Sequence, residues 1–289
     1  MLVTSIDHVV VPVSSLVDAA RPYEALGLAL TPNAAHRGIG TENRVFFVGE
    51  GDDFYVELLG IRDRDEAERA GRELYLERMD TGIARLMLEV ADIAAAVCSL
   101  GGQGVATEVS EVRGADGRKI CDVAPIDQVS VLGFALGLVQ YPESQTERHA
   151  RRVAAGRFAH RFPLKRLDHL AAITPDLEGA TSFWTDVLGV PVFGEVRGPG
   201  MIIRQMKVGD AIFELLGPDG LESRLHSRPA GFASMCAFEV ADLDAAVASA
   251  RALGFSPNDP ASGILPGTRV ATIPAGELSS VGMQLLEYV

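Results

Sequence analysis

The sequence has few cysteines and no long apolar run. It contains three cysteines, Cys98, Cys121 and Cys236, which are too few and too scattered for a disulfide framework, and none forms a CxxC pair. Such cysteine usage is typical of a reducing cytoplasm. No apolar stretch approaches the roughly 20 residues that are needed to span a bilayer, and the first residues enter a strand-like pattern without a basic start or a cleavage site. We therefore expect a cytoplasmic protein with no membrane partner.

Basic residues are also scarce. The chain has 26 Lys and Arg against 39 Asp and Glu, a formal net charge of -13. An acidic exterior repels the phosphates of nucleic acids, so we expect no nucleic acid partner. One basic stretch runs from Arg148 to Arg166. We interpret it first as a solvated linker helix, with an anion-binding patch as the weaker alternative, and assign it no function.

What the sequence does contain is an internal repeat. Its 289 residues are enough for two domains of ordinary size. The segment IDHVVVPV from Ile6 matches LDHLAAIT from Leu167, and each is followed by a helical pattern that ends in Leu-Gly. A second pair, MLEVADIAAAV from Met87 and AFEVADLDAAV from Ala237, also match each other. The repeat predicts four related units in the order A, B, A′, B′.

Each unit has the pattern of one strand, one helix and then three strands. Asp92 and Asp242 stand where an N-cap carboxylate would accept hydrogen bonds from the first free amides of a helix. After each helix, apolar residues alternate with polar ones or form short runs bounded by Gly and Asp. The expected fold is therefore α+β, with four βαβββ modules.

A charged segment without strand pattern separates the second unit from the third. It includes YPESQTERHARRVAAGRFAHRFP and ends at Pro163. We predict a short helix over about residues 147–158 within it. The expected domains are residues 1–141 and 164–289, joined by a linker at 142–163.

The modules open with an (I/L)-Asp-His strand and close with an (F/V)-Glu-Leu-Leu strand. This arrangement resembles the vicinal oxygen chelate (VOC) superfamily, which includes glyoxalase I, extradiol dioxygenases, methylmalonyl-CoA epimerase and bleomycin-resistance proteins. The segment HRGIGTEN, ahead of the strand that carries Glu57, is similar to the bacterial glyoxalase-like domain family. The resemblance covers almost all of the chain outside the linker. It implies two glyoxalase/bleomycin-resistance-like domains, each with two modules that curve into a cup.

In that superfamily a divalent metal such as Zn, Ni, Mn, Co or Fe lies in the cup and is chelated by two neighbouring substrate oxygens. Transferred position by position, the resemblance implies His8 and Glu57 as metal ligands in the first module, and His169 and Glu214 in the third. As catalytic residues, Glu57 and Glu214 would move a proton at the carbon beside the carbonyl. The alternative for each pair is a buried, hydrogen-bonded His and Glu without chemistry.

The partner modules lack matching ligands. Their corresponding positions hold Arg85 and Gly137 in the second module, and Met235 and Gln284 in the fourth. Of these side chains, only that of Gln284 offers a usable oxygen. If modules pair in sequence order, each cup has half a metal site, and an extradiol iron centre is disfavoured. A complete site would form if the first and third modules faced each other, within one chain or across a homodimer.

Strand alternation predicts which side chains share a face. Two sets are expected to line the first cup: Tyr55, Glu57 and Leu59 from one strand, and Ile6, His8 and Val10 from another.

Four residues are candidates for substrate binding: His36, Asn43, Arg85 and Gln284. The loop from His36 to Asn43 contains two glycines that allow close approach of the backbone to a ligand, with a simple glycine turn as the alternative. Arg85 would hold an anion through two hydrogen bonds, or would form a salt bridge with Glu57.

Two functions follow from this pattern, both with a small-molecule ligand as partner. The first is a metal-assisted enzyme of glyoxalase, lyase or isomerase type that acts next to a carbonyl or vicinal oxygens. The second is a metal-free binding or sequestering protein of bleomycin-resistance type, which the missing ligands favour. The first cup, with His36 and Asn43 nearby, is the expected seat of function.

Overall fold

The strands form two sheets of eight in a computed structural model that describes residues 2–49 and 52–289. The first sheet contains β1 (Ser5–Val13), β2 (Ala34–Ala35), β3 (Thr41–Gly49), β4 (Asp52–Ile61), β5 (Arg85–Glu89), β6 (Ser110–Arg113), β7 (Lys119–Ile126) and β8 (Ala135–Gln140). The second sheet contains β9 (Arg166–Ile173), β10 (Val192–Gly198), β11 (Met201–Val208), β12 (Ala211–Pro218), β13 (Gly231–Glu239), β14 (Ala261–Ser262), β15 (Thr268–Ile273) and β16 (Gly282–Tyr288).

The helices lie between these strands. They are α1 (Leu16–Leu26), α2 (Arg64–Arg69), α3 (Glu73–Glu77), α4 (Ile93–Gly102), α5 (Val129–Leu132), α6 (Gln145–Ala154), α7 (Leu177–Ser182) and α8 (Leu243–Ala252). A π-helical turn, Phe183–Val187, continues α7, and Arg224–Ser227 and Ala275–Glu277 are 3-10 turns. None of the helices in the described ranges is long and apolar enough to cross a membrane.

The strand order shows two modules side by side in each sheet. The first sheet has the order β2-β3-β4-β1-β5-β8-β7-β6, and the second has β10-β11-β12-β9-β13-β16-β15-β14. In each module the first strand runs parallel to the last, and the modules meet along antiparallel first strands. The predicted α+β fold with four βαβββ modules is confirmed. Because β1 and β9 lie in different sheets, the alternative in which the first and third modules face each other within the chain is wrong.

The helices that follow the first strands cover one face of each sheet. Asp92 and Asp242 cap α4 and α8 as predicted, since each carboxylate accepts a hydrogen bond from the backbone three residues later, at 2.9 and 2.8 Å. Each of these helices buries one apolar face against its sheet, with Leu100 and Leu243 among the fully buried side chains. The opposite face of each sheet is thereby left free to curl around a cavity.

The two sheets share one apolar core. A single cluster of buried side chains includes residues from both sheets and from α1, α4 and α8. Phe54 of β4 lies 6.4 Å from Phe238 of β13 between ring centroids. The hydroxyl of Tyr23 on α1 donates to the carbonyl oxygen of Leu278 at 2.7 Å. The two halves of the chain are thus packed against each other, not only joined by the segment between them.

The segment between the halves contains α6, and its arginines differ from the sequence-based interpretation. The prediction of a solvated linker helix is wrong for Arg148 and Arg152, which are 0% and 6% exposed. Arg148 forms an ion pair with Glu89 at 2.8 Å, and Arg152 forms one with Asp53 at 3.0 Å. These acceptors lie on β5 and β4, far from α6 in sequence, so the local composition of the helix did not predict its burial.

Candidate functional site

Each curled sheet encloses a cavity on the face opposite its helices. We call the cavity of the first sheet the first cup; it measures about 110 Å³ and its lining includes His8, His36, Asn43, Tyr55, Glu57, Arg85 and Tyr141. The cavity of the second sheet is the second cup; it measures about 250 Å³ and its lining includes His169, Ile203, Glu214, Leu216, Met235 and Gln284. The structure therefore places every candidate residue from the sequence in one of the two cups.

A β-bulge at Asp7 shapes the first strand of the first cup. In the pairing of β1 with β5, Ile6 lies opposite Leu88 and His8 lies opposite Met87, which leaves Asp7 as an extra residue. The extra residue interrupts the alternation of side chains. Consequently the predicted face is wrong for Ile6, which packs in the core with Leu88, whereas His8 and Val10 line the cup.

The bulge lets Asp7 contact the imidazole of its neighbour. Asp7 Oδ2 lies 2.5 Å from His8 Nδ1 and accepts a hydrogen bond from Tyr141 Oη at 2.7 Å. Burial alone would raise the pKa of Asp7, but the hydrogen bond and charge of His8, with Arg152 and Tyr141, bring that pKa below its ordinary value. The ionised Asp7 therefore orients His8 with Nε2 free to face the cavity.

Glu57 faces His8 across the first cup. Glu57 Oε2 lies 3.6 Å from His8 Nε2, and Asn43 Nδ2 donates to Glu57 Oε1 at 2.5 Å. Glu57 is 8% exposed, and the ring of Tyr55 stacks on the imidazole of His8 with 4.4 Å between centroids. Tyr55, Glu57 and Leu59 all line the cavity, as strand alternation predicted. The result is a buried carboxylate and imidazole held in fixed orientations but not hydrogen-bonded to each other.

The second cup repeats this arrangement. Asp168 Oδ1 lies 2.7 Å from His169 Nδ1, and Tyr288 Oη donates to Asp168 Oδ2 at 2.6 Å. His169 Nε2 lies 4.0 Å from Glu214 Oε2. Burial lowers the pKa of His169, but the hydrogen bond to Asp168 and the charges of Glu214 and Asp168 outweigh it, and the net pKa is above its ordinary value. Asp168 is again an extra residue that forms a β-bulge, because His169 lies opposite Ala237 and Leu167 lies opposite Phe238.

The amide that orients the glutamate comes from different positions in the two cups. In the second cup Gln205 Nε2 donates to Glu214 Oε1 at 2.8 Å, and Gln205 lies directly opposite Glu214 in the sheet. The residue opposite Glu57 is Val45, so the donor Asn43 stands two residues earlier on its strand. Both carboxylates are therefore held by a side-chain amide, although the two amides are not equivalent in the repeat.

Strand register shows which residues replace the missing ligands. Glu57 lies opposite Val10, two residues after His8. The same offset relates Gly137 to Arg85 and Gln284 to Met235, as the pairs Met87 with Gly137 and Ala237 with Gln284 show. These residues stand at the positions that the sequence comparison assigned to them.

Arg85 lines the first cup but does not pair with Glu57. Its terminal nitrogens donate to the carbonyl oxygen of Leu136 and to Asp127 Oδ1, the latter at 2.7 Å. Its guanidinium carbon lies 5.9 Å from the ring centroid of Tyr75. The alternative of a salt bridge with Glu57 is therefore wrong, because the guanidinium forms its ion pair with Asp127.

The loop that begins at His36 closes over the first cup. His36 is 6% exposed, lines the cavity, and has Nδ1 2.8 Å from Thr41 Oγ1. Burial lowers the pKa of His36; Glu57 opposes this shift and Arg72 adds to it. The imidazole is therefore neutral near pH 7. A backbone bridge between His36 and Gly114 connects the loop to the second module.

The donor atoms in each cup are few for a divalent metal. Among the residues that the structure describes, no three His, Cys, Asp or Glu side chains converge in a way that could hold a metal ion. The first cup offers His8 and Glu57, with the cation Arg85 at a third family position. The second cup offers His169 and Glu214, with the amide of Gln284 as a weaker donor. Neither set fits a metal held by three or four strong protein ligands.

Sequence reasoning gave no role to several residues that shape the cups. They are Asp7 and Tyr141 in the first cup, and Asp168, Gln205 and Tyr288 in the second. Repetition was the signal that could have found four of them. Each histidine follows an aspartate, and each tyrosine stands four residues after the position held by Gly137 or Gln284.

Comparisons with known proteins agree with the fold. The family model described as Glyoxalase-like domain matches residues 6–153. The model described as Glyoxalase/Bleomycin resistance protein/Dioxygenase superfamily matches residues 166–271. Each model matches one of the two halves that contain a cup.

Individual relatives are more distant. Mitochondrial methylmalonyl-CoA epimerase of Mus musculus is 39% identical over 92 residues, which are 30% of this chain and 52% of that protein. The chain thus spans about half the length of the curated relative that it matches. A hypothetical protein from Staphylococcus aureus has a TM-score of 0.67 at 13% identity, with 98% of each chain covered. A mutant of 4-hydroxymandelate synthase from Streptomyces coelicolor has a TM-score of 0.66 at 16% identity, with 100% of this chain and 93% of that chain covered.

The two structural matches establish the fold over nearly the whole chain, and the two family models account for both halves of the repeat. The first model alone extends over more than half of the sequence. The chain therefore belongs to the glyoxalase-like domain family, within the glyoxalase/bleomycin resistance/dioxygenase (VOC) superfamily.

Proposed function

We propose that the first cup is the active site of a small-molecule enzyme of glyoxalase type, a lyase or isomerase that acts at a carbon next to a carbonyl or vicinal oxygens. The observation that carries the proposal is the buried carboxylate of Glu57, which lies 3.6 Å from His8 Nε2 and is held by Asn43. A carboxylate oriented inside a small cavity can take a proton from a substrate carbon and return it.

Each group in the cup has a distinct part in this proton transfer. Asn43 occupies Glu57 Oε1, which leaves Oε2 to receive the proton from the substrate carbon. Asp7 holds His8 at Nδ1, so Nε2 is the nitrogen that can exchange a proton with Glu57. A guanidinium has five N–H donors, so Arg85 retains donors for a substrate oxygen beside those used for Leu136 and Asp127.

The superfamily resemblance implies a metal-assisted form of the same reaction. His8 and Glu57 would hold the ion, which would polarise the substrate oxygens. Because these two side chains fall short of the usual three protein ligands of a catalytic metal, we derive the proton transfer from the protein groups alone. Metal analysis of protein purified without chelator or affinity tag separates the two forms. Stoichiometric metal that is lost in His8→Ala would support the metal-assisted form.

Exchange of substrate hydrogen with solvent deuterium tests the proton transfer. Small 2-oxo acids, 2-hydroxy ketones and acyl thioesters would be incubated with the protein in D₂O, and deuterium beside the carbonyl would be followed by NMR. We expect exchange that Glu57→Gln reduces by at least about 100-fold. The matched variant Glu214→Gln in the second cup should leave the rate unchanged. No exchange with any compound, or equal loss in both variants, would contradict the assignment.

A second candidate function is supported by the second cup. This cavity is larger, about 250 Å³, and most of its lining is apolar, with Ile203, Leu216, Val270 and Leu286 among the side chains. Such a cavity suits an apolar ligand that is bound without chemistry. We propose that the second cup sequesters a small hydrophobic molecule, as in the bleomycin-resistance alternative.

Thermal unfolding with small hydrophobic ligands tests this binding function. Stabilisation that EDTA does not alter and that Ala171→Phe abolishes would support it, because Ala171 lines the second cup and a phenyl ring would fill the space. Val10→Phe makes the corresponding change in the first cup and serves as the control. Stabilisation that survives Ala171→Phe would place the ligand elsewhere.

A further inference from the structure

A groove of about 560 Å³ adjoins the first cup. The two share His36, Asn43, Tyr55 and Tyr141 in their linings, so the groove borders the cavity that holds Glu57. Its outer wall is formed by α6 and the residues that follow it. The groove is several times larger than the cup, and a ligand whose reacting end fits the cup could extend into it.

The groove is basic although the protein is acidic. The chain has a net charge of -13. Two acidic residues, Asp116 and Glu143, line the groove. Its lining nevertheless includes six cationic side chains: Arg118, Lys119, Arg148, Arg151, Arg152 and Arg157. Five of these six cations form ion pairs, but within the lining itself cationic side chains outnumber acidic ones six to two. A concave surface with an excess of one sign of charge concentrates ligands of the opposite sign. The expected ligand is therefore an anion.

Two of these arginines are fixed in position by aromatic rings and acids. The guanidinium of Arg148 lies 4.0 Å from the ring centroid of Tyr141, and Nη2 of Arg148 donates to both carboxylate oxygens of Glu89 at 2.8 Å. The guanidinium of Arg152 lies 4.3 Å from the ring centroid of Phe47. Because both side chains are buried, they form a preorganised base for the groove, not a solvated surface.

The cations of the groove are not fully satisfied. Arg148 is 0% exposed, yet its Nε and Nη1 have no hydrogen-bond partner among the described residues. Arg157 has no ion-pair partner within residues 2–49 and 52–289, and Arg151 is 62% exposed with a single partner, Glu143. The exposed Arg151 and the unpaired Arg157 therefore retain guanidinium donors that can reach an anion in the groove.

We propose that this groove binds a phosphate or pyrophosphate group at one end of the substrate whose other end reacts in the first cup. Several arginines around one groove suit a group with more than one negative charge, since a guanidinium matches phosphate oxygens through paired hydrogen bonds. The assignment of the reacting end rests on the proposed function. Binding of the anion does not, because it requires only the arginines.

Calorimetric titration with inorganic pyrophosphate at low ionic strength tests the groove. We expect one saturable site in the wild-type chain, and at least a tenfold loss of affinity in Arg151→Gln/Arg157→Gln. The matched control is Arg64→Gln/Arg224→Gln, which removes the same charge from exposed positions outside the groove. Like the groove variant, it removes one ion-paired arginine, Arg64 with Glu68, and one arginine, Arg224, that has no ion pair in the described chain. Arg148 is left intact because its replacement would remove the ion-pair partner of Glu89.

The outcomes separate this proposal from the proposed reaction. Glu57→Gln should bind pyrophosphate as the wild type does, even where deuterium exchange is lost. If pyrophosphate binds as expected but no carbonyl compound exchanges deuterium, the reaction is wrong and the groove stands. If the control variant weakens binding as much as the groove variant, or if no saturable binding occurs, the groove proposal is wrong.

Discussion

Asp7 and His8 are neighbours in one strand, yet their side chains meet, with Asp7 Oδ2 2.5 Å from His8 Nδ1. Regular alternation would send the two side chains to opposite faces of the sheet. The bulge at Asp7 removes that alternation and makes the contact. The same contact occurs between Asp168 and His169 in the second sheet. Each cup thus carries an imidazole whose orientation is fixed by the residue before it.

Replacement of this aspartate should release the imidazole. Asp7→Asn removes the carboxylate charge beside His8. We expect a loss of about 3 kcal/mol in the free energy of unfolding, measured by urea denaturation. We also expect the ring nitrogens of His8 to change their ¹⁵N chemical shifts as the tautomer is no longer fixed. Asp168→Asn is the control and should change His169 instead. Unchanged His8 nitrogen shifts in Asp7→Asn would contradict this role.

The two glycines of the loop over the first cup should respond differently to alanine. Both have positive φ, +79° at Gly38 and +65° at Gly40. A Cβ at Gly40 would lie 2.5 Å from the backbone nitrogen of Ala67 and would also collide with the carbonyl oxygen of Asp63, whereas one at Gly38 meets no atom within 4 Å. We expect urea denaturation to show a loss of about 1 kcal/mol for Gly38→Ala and more than about 2 kcal/mol for Gly40→Ala. Equal losses would contradict the contact with Asp63 and Ala67.

His160 should make stability depend on pH. Its Nδ1 accepts a hydrogen bond from Ala29 N at 2.9 Å, and its Nε2 lies 2.5 Å from the carbonyl oxygen of Phe47, so the neutral ring satisfies both contacts. Burial lowers the pKa of His160 from its ordinary value of 6.5, although the hydrogen bond to Phe47 opposes this. The unfolded chain therefore binds the proton first, and the stability that His160 contributes is lost as pH falls below about 6.5.

The comparison with His160→Gln isolates this effect. Unfolding of both proteins would be measured by urea denaturation between pH 5 and pH 8. We expect the advantage of the wild type to be constant above the ordinary histidine pKa and to shrink as pH falls below it. A difference that stays constant across this range would show that His160 does not carry the pH dependence.

The shared core predicts that the two sheets unfold together. Trp184 is the single tryptophan and packs on Phe213 in the second half, at 4.6 Å between ring centroids. We expect Phe54→Ala in the first sheet to lower the stability reported by Trp184 fluorescence by about 3 kcal/mol, because Phe54 lies against Phe238. A Trp184 transition that ignores this substitution would mean that the halves unfold independently.

The fold was predictable because each of its determinants is local or repeated. Short-range patterns predict the strands and the helix caps at Asp92 and Asp242. They also place Tyr55, Glu57 and Leu59 on one face of their strand. Repetition then supplied the order of modules. Only the way in which the modules pair had to come from the structure.

The parts of the site that escaped prediction depend on distant strands. The bulge that directs the side chain of Ile6 towards the core arises in the pairing of β1 with β5. The residues near Ile6 do not specify this pairing. The burial of Arg148 depends on Glu89 and Tyr141, and the pairing of Arg85 with Asp127 depends on the loop before α5. Sequence patterns give the chemical types near a site, and long-range packing decides which of them meet.

The amides that hold Glu57 and Glu214 have a consequence for how duplicated sites are compared. Asn43 has Ile203 as its counterpart in the second sheet, and Gln205 has Val45 as its counterpart in the first. A comparison of equivalent positions in the two sheets would therefore conclude that each amide is missing from the other copy. The hydrogen bond to the glutamate is instead present in both cups, with donors that stand two residues apart in equivalent strands, so the two copies share the contact but not the position that makes it.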